Sequence, residues 1–116
     1  MAVTDVYIAK NADGNKWTGS SDQSVATADG SNFHFVDNST DKKARPQGKV
    51  YITNTHATNL LYYRLNGTAA VTAANAHGIV PPTRNLVLEG DAITVVSLLA
   101  GTGAFVPSVT GVENQR

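Results

Sequence analysis

The sequence predicts an all-β domain: an antiparallel β-sandwich of jelly-roll type with an extended N-terminal arm. Three observations predict it. Val, Ile, Thr and Tyr are abundant, while Glu occurs only at Glu89 and Glu113, a residue mix that suits strands. The alanines sit in short clusters without a 3.6-residue period, so no amphipathic helix is indicated. Segments that alternate with a period of two recur along the chain, separated by turn residues, and about eight or nine such strands suit a sandwich.

Taken in order, Val3 to Lys10 forms the first strand and the arm, with Val6 and Ile8 on one face and Tyr7 on the other. Asp13-Gly14 and Asp29-Gly30 are hairpin-turn dipeptides that lead to Trp17 and Phe33. Two similar turns do not make a repeat architecture. Phe33 and Phe35 share a face, with His34 opposite. The polar stretch from Asp37 to Gln47 reads as a loop. It divides an N-terminal arm and hairpins (1–48), which contribute to or flank the sandwich, from a sandwich core (49–112) within one domain.

The clearest alternation begins at Lys49. Val50 and Ile52 lie on one face; Tyr51, Thr53 and Thr55 lie on the other. His56-Ala57-Thr58-Asn59 has the length of a hairpin connection. Leu60 to Leu65 is apolar on both faces except at Arg64, so one of the adjacent Tyr62 and Tyr63 needs a cover. Asn66-Gly67 is a turn, since both residues tolerate positive φ. Thr68 to Ala76 fits either a weak strand or a loop. His77 to Pro82 reads as an edge strand, because Pro81 and Pro82 cannot donate to a ladder. Asn85 to Glu89 is a strand closed by Gly90-Asp91. Ala92 to Leu99 is the most hydrophobic strand and is expected to be central. Gly101-Thr102-Gly103 turns the chain into Ala104 to Val109, where Pro107 marks an edge or bulge. A polar tail follows from Gly111, with 113–116 beyond the domain.

Composition narrows the function. The 116 residues carry 9 Lys+Arg and 9 Asp+Glu, for a net charge of zero. That gives no long-range pull toward nucleic acid or an anionic membrane. Charged residues are only 16% of the chain, which leaves a surface poorly defended against association. There is no cysteine, hence no disulfide and no thiolate chemistry. The longest largely apolar run, Ile93 to Ala100, is too short to span a bilayer. The first residues lack the basic and apolar regions of a signal peptide.

No motif points to catalysis, a metal or a cofactor. His34, His56 and His77 lie far apart and lack the spacing of a zinc or iron site. Asn11, Asp13 and Asn15 resemble an oxygen-ligand loop, but the terminal Glu of a calcium loop is missing. Glu89 and Asp91 flank a glycine instead of facing each other across a cleft. Ser97 lies in an apolar strand without a nucleophile elbow. Lys42, Lys43 and Arg45 are balanced by Asp37 and Asp41. The expectation is a protein that is not an enzyme and has no small-molecule substrate.

The runs Val50 to Thr55, Leu60 to Ala70, Leu86 to Asp91 and Ile93 to Gly103 together resemble small β-sandwich accessory proteins of tailed-bacteriophage virions. The resemblance covers Lys49 to Val112 and rests on strand cadence. It implies a capsid decoration or cement protein that binds the major capsid protein, forms a trimer, and sits on the outside of the virion after synthesis in the host cytoplasm. An N-terminal arm, best Val3 to Lys10, or a sandwich edge would add to the shell by strand augmentation or packing. Val3, Val6, Tyr7, Ile8, Trp17, Tyr62, Tyr63 and Phe105 are the candidate interface residues. Two other readings use the same fold. One is a head–tail or tail accessory protein. The other is a carbohydrate-binding module of a virion fibre that stacks sugars on Trp17 and a tyrosine.

Overall fold

The computed structural model describes residues 4–9, 16–18, 25, 30–37, 40–67 and 71–113. Within them lie nine strands and no helix. They are β1 (Thr4–Ala9), β2 (Lys16–Thr18), β3 (Ser31–Val36), β4 (Gln47–Thr53), β5 (Leu61–Leu65), β6 (Gly78–Val80), β7 (Asn85–Ile93), β8 (Val95–Ala100) and β9 (Ser108–Glu113). A five-stranded sheet runs β1-β3-β8-β5-β6, and a four-stranded sheet runs β2-β9-β4-β7.

One core joins the two sheets. Ile8, Phe33, Phe35, Leu61, Val80, Val96 and Leu98 reach it from the five-stranded sheet. Val50, Ile52, Ile93 and Val109 reach it from the four-stranded sheet. These are the inward positions of the two-residue alternation, which is why Tyr7, His34 and Tyr51 face the other way. Gly111 of β9 marks a close approach. A Cβ there would lie 2.7 Å from both the Phe35 ring and Gln47 Oε1. The missing side chain therefore makes room for a ring from the opposite sheet.

Several expectations change. The sheet is not wholly antiparallel, because β1 runs parallel to β3, from Thr4 opposite Ser31 to Ala9 opposite Val36. Parallel neighbours need a crossover. Residues 10–30 supply it, and they place β2 in the other sheet against β9. The described part of the arm is thus an edge strand of its own chain. His34 Nε2 stands 2.9 Å from Asp5 Oδ1, and the Tyr7 ring stacks on His34 at 4.9 Å. Within the 1–48 segment, β3 lies between β1 and β8 in the five-stranded sheet.

His56 to Asn59 is not a hairpin. It carries the chain from β4 in one sheet to β5 in the other. Gly90-Asp91 does not end a strand either. Gln47 pairs with Ile93 while Lys49 pairs with Glu89, so β7 holds two extra residues and absorbs Gly90 and Asp91 as a bulge. The expected tail from Gly111 is in fact strand, with Gly111 opposite Val50 and Glu113 opposite Gln47.

Other expectations hold. β6 is an edge strand ending before Pro81, and β8 is central. Asn66 takes φ 57°. Its side chain accepts from the Thr94 backbone N–H at 2.8 Å and donates to the Ala92 carbonyl at 2.9 Å. That clasp fixes the corner between β7 and β8.

Candidate interaction surface

The outer faces of the two sheets differ. On the five-stranded sheet the outward residues Asn32, Val95, Ser97 and Leu99 are nevertheless buried. The β5–β6 connection starts across this face. The Gly67 carbonyl stands 3.1 Å from Ser97 Oγ, and Val71 farther along the connection is also buried. Ser97 Oγ is bonded to Asn32 Oδ1 as well, so two polar side chains inside the covered face satisfy each other. Burial on both sides explains why β8 is apolar at every position except Ser97.

The four-stranded sheet keeps its outer face open among the described residues. Tyr51 on β4 and Val87 on β7 are direct cross-strand partners there, with 38% and 49% of their surface exposed. Polar pairs lie on either side. Lys49 Nζ stands 3.4 Å from Glu89 Oε1, and Thr53 Oγ1 donates to Asn85 Oδ1 at 2.8 Å. Both charges of the ion pair are well exposed, so it contributes little to stability. Its effect is to leave Tyr51 and Val87 as an apolar centre between two self-satisfied polar pairs.

Among the described residues the candidates from the sequence do not assemble into one patch. Val3 lies outside the described residues. Ile8 is buried, and Val6, Tyr63 and Phe105 pack against the core. In the folded chain these four serve the interior. Phe105 also lies 5.3 Å from the His56 ring, and its backbone bridges to Val25. Trp17 pairs with Gly111 through the backbone, and its side chain lies outside the described residues. Tyr7 and Tyr62 face outward at opposite margins of the five-stranded sheet, Tyr62 beside Ile79.

Sequence reading missed Tyr51 and Val87 as surface candidates. A signal existed, because the alternation that puts Val50 and Ile52 inside must put Tyr51 outside. Leu86-Val87-Leu88 likewise forces one apolar side chain outward.

The histidines are held apart by separate local tasks. His56 Nδ1 accepts from the backbone N–H groups of Thr58 and Asn59, and His77 Nδ1 accepts from that of Leu65. Among the described residues no group of three or more His, Asp or Glu could hold a metal ion. Comparison of the chain with protein-family models, with curated proteins and with solved structures found no match.

Proposed function

We propose that this chain is a non-enzymatic structural protein of a tailed-phage virion, a decoration protein that binds the outside of the major capsid protein shell. The two sheets stack as a β-sandwich, and the open face of the four-stranded sheet is the surface laid on the shell. The observation that carries the reading is the exposed Tyr51–Val87 pair on a sheet face left uncovered among the described residues. The resemblance of its strand cadence to virion accessory proteins and the low proportion of charge support it. An exposed aromatic on a sheet face, flanked by two satisfied polar pairs, has the layout of an interface anchor.

The test is co-sedimentation of the purified chain with phage shells that lack decoration protein. Tyr51→Arg puts a charge where the shell would be dry. It is expected to lower shell occupancy at least about tenfold, a change of about 1.4 kcal/mol, with unchanged circular dichroism. Occupancy equal to that of the unsubstituted chain would refute the proposed face.

A further inference from the structure

β7 offers a free sheet edge. It pairs with β4 on one side and, among the described residues, with no strand on the other. The ladder shows which groups point outward. The Asn54 N–H donates to the Arg84 carbonyl at 2.9 Å, so the even-numbered residues of β7 bond to β4. Hydrogen bonding alternates along an antiparallel pair, so the N–H and C=O of Asn85, Val87 and Glu89 point away from the sheet. The regular edge is bounded by Thr83, with φ 62°, and by the bulge that begins at Gly90. The other edges are less suited. β2 and β6 have three residues each, and Pro81 follows β6. β1 presents Asp5 and the Tyr7–His34 stack.

We infer that this edge pairs with the same edge of a second copy about a two-fold axis through Val87. The outward groups are symmetric about that residue, so antiparallel pairing sets Val87 against the partner's Val87 and Asn85 against the partner's Glu89. This register uses every outward group of the three residues. A shift by two in either direction keeps the faces matched but loses one facing pair. The charges agree: Arg84 stands at one end of the strand, Glu89 and Asp91 at the other. Antiparallel pairing brings each basic end to an acidic end, while parallel pairing would stack like on like. The row Tyr51–Val87 continues through the axis into the partner's Val87 and Tyr51, covering the exposed valine. A contact of this symmetry closes on itself, giving a dimer with one eight-stranded face and not a fibre. It differs from the trimer that the virion resemblance implies.

Light scattering and sedimentation equilibrium of the chain alone, across a concentration series, read the mass. The expected result is a reversible monomer–dimer equilibrium. Val87→Glu places two carboxylates against each other at the axis and is expected to give monomer. Val87→Lys is expected to do the same, and an equal mixture of the two variants is expected to restore the dimer. Val87→Pro removes only an outward N–H, leaves the bonds to β4 intact, and is expected to give folded monomer. Circular dichroism checks the fold of each variant, and the proline variant decides if the charged ones do not fold. A chain monomeric at every concentration, a trimer, a dimer unaffected by the variants, or a mixture that stays monomeric would each overturn the inference. The mass is read without shells, so its failure is separate from failure of the shell-binding reading.

Discussion

Asn54→Ala tests what ties the two sheets together. Asn54 follows β4 in the four-stranded sheet and is fully buried. Its Nδ2 donates to the Asn59 carbonyl at 2.8 Å and to the Val80 carbonyl at 2.9 Å. Val80 belongs to β6, so this one amide spans from one sheet to the other. Its Oδ1 accepts from the His56 N–H at 3.0 Å. Alanine leaves two carbonyls and one N–H without that partner. A buried group left unpaired costs about 1–3 kcal/mol, and the three losses share one site, so the expected total is about 3–5 kcal/mol. An unfolding entropy of about 2.1 cal/mol/K per residue, over 116 residues, gives about 0.24 kcal/mol/K. The melting temperature should therefore fall by about 12–20 °C. Urea denaturation followed by tryptophan fluorescence and circular dichroism gives the free energy, and calorimetry gives the temperature. A loss below about 1 kcal/mol, the level of an ordinary point substitution, would refute the claim that this amide joins the sheets.

Two further substitutions test the core and its turns. Gly30 takes φ 62°, and a Cβ there would lie 2.1 Å from the Leu98 carbonyl oxygen. Gly30→Ala should therefore cost more than about 3 kcal/mol or prevent folding, since the left-handed conformation alone costs about 1–2 kcal/mol. A Cβ at Gly103 meets nothing within 4 Å, so Gly103→Ala should stay within about 0.5 kcal/mol; equal losses in urea denaturation would refute the packing argument. Ile52→Ala should cost about 2–5 kcal/mol and Ile52→Val about 0.5–1.5 kcal/mol, because Ile52 is fully buried in the shared core. An alanine variant no less stable than the valine variant would remove Ile52 from that core.

What the sequence revealed was whatever depends on neighbours in the chain. Alternation placed Val50 and Ile52 inside and Tyr51 outside, and it set Phe33 and Phe35 against His34. Pro81 placed the end of β6, and Asn66 announced its positive φ. What stayed hidden depends on partners distant in sequence. The parallel pairing of β1 with β3 rests on a crossover through the other sheet, and no dipeptide encodes it. Gly90-Asp91 has the chemistry of both a turn and a bulge. Only the continued pairing with Gln47 decides for the bulge. Gly111 opens a polar stretch that reads as a tail, yet in β9 its role is to admit the Phe35 ring. The candidate surface was half legible. The sequence put Tyr51 on an outer face, but nothing local said which outer face the chain would cover itself.

That difference between the faces carries the functional argument. Both sheets present apolar side chains outward: Val95 and Leu99 on one, Tyr51 and Val87 on the other. The β5–β6 connection begins over the first face, where Asn32, Ser97, Val95 and Leu99 are buried. Among the described residues no such cover lies over the second, where Tyr51 and Val87 stay exposed. Two exposed apolar residues on a surface are ordinary when they stand alone. These two are cross-strand partners, and one of them lies on an edge that is unpaired among the described residues and whose outward backbone groups are symmetric about it. Burial of the pair and satisfaction of the edge are therefore achieved by the same event, the arrival of another strand. The low charge of the chain fits that arrangement: Lys49 and Glu89 pair with each other on the face, and the edge carries charge only towards its ends, at Arg84, Glu89 and Asp91.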